Sequence, residues 1–249
     1  MNVPTTIEEV IAHLDTIITT EIAANSTLAY FPVLYKKVTE RIKLGIQNKE
    51  FEDNPRMERL DVLFASRYIE AYEQWKAGQT PTDSWQVAFG TAKNKIIVMQ
   101  HLLLGINAHI NLDLGIAVSE TVGPNGDLEA IKSDFNKINA ILASLVSGVE
   151  QSISEISPVF YLLEKIGKGR EDKIVTFSIA IARDEAWKFA NQFHLASNKE
   201  GTIAERDIVI ANLGRKLITS KSRILRWVIR FIRFFESKNV ARVAATLAT

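Results

Sequence analysis

Apolar positions recur along this chain every three to four residues and almost nowhere in strict alternation, so the pattern predicts helices and gives strands little support. Thr6 followed by Glu9 has the form of a capping box and opens a helix to about Ala24. Asn25-Ser26-Thr27 caps a second helix, whose apolar set includes Leu28, Phe31, Leu34, Tyr35, Val38 and Ile42. Pro32 falls in its first turns, where it is tolerated or kinks the helix. Asn54-Pro55 reads as an N-cap and first helical position, leading through Met57, Leu60, Leu63, Phe64, Tyr68 and Tyr72 to about Lys76.

Gly78 to Asp83 is a loop, and the next helix starts near Ser84 and breaks around Gly90-Thr91. A strongly apolar segment then runs to about Glu120, and Gly123-Pro124-Asn125-Gly126 is the clearest loop of the chain. Beyond it the pattern predicts helices over 127–151, 152–166, 171–197, 202–218 and 221–247, with Gly167-Lys168-Gly169 separating the second from the third. The expected fold is all-α: one domain over residues 1–249, a bundle of about eight to ten helices.

Within this pattern the stretch Gln100 to Leu114 stands out. It places His101, Asn107, His109, Asn111 and Asp113 inside an otherwise apolar run. Residues four apart share a helix face, so His101, Gly105, His109 and Asp113 form one row and Asn107 and Asn111 a second. Polar groups in such a segment must be paired with one another or with a ligand. His109 and Asp113 have the spacing to hold one divalent metal, zinc or iron. His101 lies eight positions from His109, about 12 Å along a helix, too far to share an ion unless the helix breaks at Gly105. Further ligands would come from Asp61, Glu70, Asp134 or Glu185. The alternative is a hydrogen-bonded pair of His109 with Asp113, with His101, Asn107 and Asn111 bridging helices or lining a small-ligand pocket.

Two other charged sites lie in apolar surroundings. Asp61 and Arg67 interrupt an apolar helix and are either solvated or turned toward His109. Arg183 is four residues before Trp187, the spacing of a cation–π pair. His13 and His194 have polar neighbours and are expected at the surface.

Composition narrows the classes. The chain has 249 residues, 47% hydrophobic and 24% charged, with a net charge of +1, so no global field directs it to nucleic acid. It has no cysteine, which excludes disulfides, thiolate catalysis and Cys-type zinc sites. Residues 215–242 carry nine basic residues and one acidic one, Glu236, a local charge of +8 against −7 for the rest. Arg223, Arg230, Arg226 and Arg233 recur at helical spacing, with Ile224, Trp227, Val228, Phe231, Ile232 and Phe235 as the opposite side. This is a terminal helix packed on the core, an amphipathic helix in peripheral contact with a membrane, or a patch for an acidic ligand. The first residues lack the apolar region of a secretory signal, and no run of 18 uncharged apolar residues is present. The cytoplasm of a bacterial cell is the expected location. There is no P-loop, no GxGxxG after a strand and no GxSxG, so no nucleotide cofactor is expected.

Several stretches together resemble a bacterial family of unknown function, the domain of unknown function 5995 family. They are Leu28-Ala29-Tyr30-Phe31 with Leu34-Tyr35, Phe51-Glu52-Asp53 running into Arg56-Met57-Glu58-Arg59-Leu60-Asp61, Phe64-Ala65 with Arg67-Tyr68, Gln100 to Leu114, Asp134-Phe135, and Ala182-Arg183 with Ala186-Trp187. They span about residues 25–195; the resemblance implies a helical fold and no activity. A weaker likeness joins Leu104, Gly105, His109 and Asp113 to the Leu-Gly-x-x-x-His-x-x-x-Asp of the zinc-dependent phospholipase C and P1 nuclease class. The chain has only four histidines and none between Ile116 and Gly126, which is too few for that class's three zinc ions.

Two functions are therefore expected. One is a metal-dependent hydrolase, in which His109 and Asp113 hold the ion, Asp61 is third ligand or base, and Arg67 or Arg183 takes an anionic group of a small-molecule substrate. The other is a non-enzymatic helical protein that binds a ligand or partner through a buried His/Asn/Asp network.

Overall fold

The computed structural model describes residues 3–167 and 172–249. The predicted separator Lys168-Gly169 lies outside the described residues. Thirteen α-helices and no strand occur among the described residues. The count exceeds eight to ten because two predicted helices are divided by short breaks and the central one by a π-turn.

The first helices follow their caps. Thr6 accepts from the Glu9 amide and starts α1 (Ile7–Ala23); the Glu9 carboxylate turns back to Thr5. Ser26 caps a 3-10 turn that runs into α2 (Tyr30–Gln47), with Pro32 in the first turn where a missing amide costs nothing. In α3 (Asn54–Lys76) the cap is Asp53, not Asn54: its carboxylate accepts from the Arg56 amide, and Asn54-Pro55 are already helical. Then come α4 (Asp83–Gly90), α5 (Val98–Ala108) and α6 (Leu114–Val122). Between α5 and α6 the helix does not break. It widens into one π-turn, His109–Asp113, in which the Leu114 amide donates to the His109 carbonyl five residues back. The stretch Val98–Val122 is long and apolar enough to cross a membrane by length and composition, but 89% of its window is buried inside the protein as a core helix.

The second half is more divided than its pattern. α7 (Glu129–Ile156) and α8 (Tyr161–Gly167) meet at Ser157-Pro158, not at residue 151, because a residue before proline is driven out of the helical region. α9 (Lys173–Thr176) and α10 (Ile179–Leu195) replace a single helix, since Ser178 caps α10 afresh. α11 (Lys199–Ile218) follows the Asn198 cap. The predicted helix over 221–247 is two: α12 (Arg223–Phe235) and α13 (Val240–Ala248). Glu236 ends the first by turning inward, where it accepts from the Val98 amide and the Ser157 hydroxyl, and Asn239 caps the second.

The α5–α6 helix is the axis of the packing. α2 and α11 lie against α5, and α3 and α10 against α6. The α6–α10 approach is set by small residues. Gly115 meets Ala186 and Ala190, both fully buried, and a Cβ at Gly115 would stand 2.8 Å from the Ala186 carbonyl oxygen. A backbone atom cannot step aside as a side chain can. Gly115→Ala is expected to lower stability by about 1–3 kcal/mol in urea unfolding, through overpacking alone.

Candidate functional site

Asp113 organises the centre. Its Oδ1 accepts from Arg67 Nε at 3.2 Å, and its Oδ2 from Trp85 Nε1 at 2.9 Å and His109 Nδ1 at 3.2 Å. The three donors come from α3, α4 and the π-turn. A carboxylate held by Arg67 and the indole can only accept, so the His109 proton sits on Nδ1 and its lone pair on Nε2. Burial pushes the His109 imidazole below its usual range, with Asp113 opposing, which keeps the ring neutral. Nε2 itself is buried and meets no partner among the described residues.

Aromatic packing fixes the ring. Phe64 stacks on His109 with centroids 3.5 Å apart, and Tyr35 meets it edge-on at 4.6 Å. Gly105 makes room for this arrangement: a Cβ there would lie 2.4 Å from the Phe31 ring, which packs against both His109 and Tyr35.

His109, Tyr35 and Asp61 line one cavity of about 830 Å³. α2, α3 and the α5–α6 helix form one side, and α7 with residues 174–183 the other. The walls are mostly apolar, including Leu34, Leu60, Ile106, Leu142 and Leu163. Asp61 is 3% exposed, and neither of its carboxylate oxygens has a hydrogen-bond partner among the described residues. The Tyr35 and Thr39 hydroxyls are buried beside each other and meet no further polar partner among the described residues. Desolvation pushes Asp61 up to about 8, so it is a neutral acid at neutral pH; Tyr35 is also raised, by burial first and then by the nearby Asp61 charge.

The other buried carboxylates behave differently. Asp134 accepts from the Glu52 and Asp53 amides, and Asp207 from the Asp83 and Ser84 amides. Glu21 is held by Tyr72 and Lys76, and Glu236 by Val98 and Ser157. Each ties helices together. Among the described residues, Asp61 alone of the buried carboxylates ties nothing.

The predicted residues thus separate into three groups. Asp61, His109 and Arg183 share the cavity wall, and Arg67 reaches the same centre through Asp113. Arg183 does not pair with Trp187. Its guanidinium lies 4.2 Å from the Phe135 ring centre and donates to the Asn139 side chain and the Phe135 carbonyl, while Lys132 sits over Trp187. Burial lowers Arg183 to about 9, and no carboxylate pairs with it among the described residues. Asn107 and Asn111 face the other way: Asn107 donates to the Ile210 carbonyl on α11, and Asn111 to the Asn107 side chain. His101 is buried against Tyr30, and desolvation lowers it to about 3. Of the further ligand donors, Asp134 holds the Glu52 and Asp53 amides ahead of α3, and Glu70 and Glu185 bond on the surface to Gln74 and Lys188. Among the described residues no group of three or more His, Asp or Glu comes together as a metal site. His194 is half-buried rather than at the surface and shares a 3.1 Å hydrogen bond with Ser119; His13 is half-buried too, with Nδ1 unpaired. Tyr35 and Thr39 carry no site signal in the pattern because both look like ordinary positions of an amphipathic helix. The available signal was that a buried Tyr hydroxyl needs a partner.

Asp61 has a consequence for stability. Its folded-state pKa lies above the unfolded one, so the folded protein holds the proton longer. The contribution is complete below the unfolded carboxylate range and is lost as pH rises toward about 8. Relative to Asp61→Asn, the wild type is expected to lose about 2 kcal/mol between about pH 5 and about pH 7, read from urea unfolding at each pH. A constant difference between the two would contradict an unpaired, buried acid.

No curated protein and no solved structure matches the chain, so the likeness to the phospholipase C class rests on its four residues alone. A family description does match, over residues 7–220, beyond both ends of the stretch that carries the resemblance. The chain belongs to the DUF5995 family, a family of unknown function.

Proposed function

We propose that this protein binds a largely apolar small molecule carrying one hydroxyl or carbonyl group, and that Asp61 meets that group. The observation behind this reading is the Asp61 carboxyl: buried, unpaired on both oxygens, and set in the wall of a large apolar cavity. Leaving such a group without a partner costs about 1–3 kcal/mol or more, and a ligand that supplies the partner recovers it. The cavity volume falls within the range of small-molecule sites, about 300–1,000 Å³.

The chemistry of the wall defines the ligand. As a neutral acid, Asp61 donates to a carbonyl or hydroxyl oxygen. His109 Nε2 accepts from a hydroxyl, held in that tautomer by Asp113, and the Tyr35 hydroxyl serves either way. Arg183 adds a cation to the same wall and favours electron-rich ligand atoms.

A metal-assisted reading uses the same residues differently. His109 Nε2 is the atom free for an ion, with Asp61 the carboxylate on the same wall and Asp113 orienting the ring from behind. Titration calorimetry and thermal shift with medium-chain alcohols and ketones, beside size-matched alkyl ammonium ions, test the proposal. The wild type is expected to be stabilised by the alcohols or ketones. Asp61→Leu should bind them about ten- to a hundredfold more weakly while melting no lower, because it removes an unpaired group. Leu142→Trp, which fills the cavity, should abolish binding. No stabilisation by any of them, or equal affinity in Asp61→Leu, overturns the proposal. So does zinc or iron at near one ion per purified chain that disappears in His109→Ala.

A further inference from the structure

The helix α12 carries two apolar stripes rather than one. Leu225, Val228, Ile229 and Ile232 are buried and pack with Leu163 and Ile174. The expected single apolar side is therefore split: only Val228 and Ile232 of that set face the core. Ile224, Trp227 and Phe235 are exposed together with Phe234, and Phe231 is half-buried among them; Trp227 is 64% and Phe234 72% exposed.

The rings form a continuous ridge. Trp227 and Phe231 stack at 5.4 Å, Phe231 and Phe235 meet at 4.9 Å, and Phe235 and Phe234 at 5.1 Å. A single exposed aromatic is ordinary, but four in contact on one helix face mark an interaction surface.

The ridge has a basic border. At about 100° per residue, Arg223 and Arg230 fall beside Trp227 and Phe234 on the outward side of α12. Both are exposed and have no ion-pair partner among the described residues, as is Lys221 just before the helix. Lys238, just after it, places its ammonium 6.0 Å from the Phe234 ring centre. Glu236, the one acidic residue between 215 and 242, is buried and bonded to Val98, Ser157 and Arg233, so this stretch itself presents no exposed acid beside these cations.

We infer that this face of α12 docks on an anionic membrane surface. The aromatic ridge enters the headgroup layer, where Trp and Phe rings settle, and Arg223, Arg230, Lys221 and Lys238 meet anionic headgroups. Charge complementarity selects this occupant over a second copy of the chain, which would set Arg223 and Arg230 against like charges. The inner stripe of α12 packs on α8, whose Leu163 lines the cavity. Docking therefore brings the cavity to within one helix of the bilayer, but the inference stands on α12 alone and not on what the cavity holds.

Flotation of the full chain with phosphatidylcholine vesicles, with and without added phosphatidylglycerol, tests this at low and high salt. The protein is expected to float with the anionic vesicles only and to be released by salt. Each cation lost should weaken binding about fivefold, so Arg223→Glu with Arg230→Glu should weaken it at least about 25-fold. Trp227→Ser with Phe234→Ser should abolish flotation, and since all four positions are exposed, melting should be unchanged in both variants. Brominated lipids should quench a fluorescence component that Trp227→Phe lacks. Equal recovery on neutral and anionic vesicles, no flotation, or a dimer dispersed by Trp227→Ser without vesicle binding would each overturn the inference.

Discussion

The centre of this protein hangs on one carboxylate. Asp113 collects an indole from α4, a guanidinium from α3 and an imidazole from its own turn. A buried negative charge is tolerable only when donors meet it, and here three donors come from three different pieces of the chain. α3 and α4 cannot slide or rotate against the central helix without stranding one of those donors. The His109 tautomer, the position of Phe64 on the imidazole and the direction of Nε2 all follow. The wall of the cavity is thus set by a group that does not itself line it.

The rest of the buried charge obeys the same rule by another route. Asp207 takes the free amides that open α4 and Glu236 the one that opens α5, while Asp134 takes the two amides just before α3. These carboxylates are the stitches between distant segments. Against that background Asp61 is an exception, and local departures from otherwise consistent packing concentrate where a protein works rather than where it merely folds.

Much of this was legible in the residues. Thr6 and Ser26 cap where their side chains and spacing say they should, and the inward turn of His109 and Asp113 follows from their place in an apolar run. Asp61 and Arg67 turn inward, one of the two placements that their apolar neighbours leave open. Other features depend on partners remote in sequence. Whether Asp53 or Asn54 caps α3 is decided by which backbone the side chain reaches, and either residue type suits the role. Arg183 finds Phe135 from another helix rather than Trp187 one turn away. Tyr35 and Thr39 carry no mark of polarity in a helical pattern. The outer aromatic stripe of α12 is indistinguishable from a core stripe until the helix is rotated against its neighbours, since both are apolar and recur at the same spacing.

The π-turn from His109 to Asp113 adds one residue to the central helix without breaking it. One residue is about 100° of rotation, so α5 and α6 are out of phase with each other. That lets a single rod present one face to α2 and α11 and another to α3 and α10. A chain one residue shorter at this point would still make an unbroken helix there. It would aim either the Gly115 seam or the Asn107 bridge at the wrong neighbour, so length here is as strict a requirement as composition.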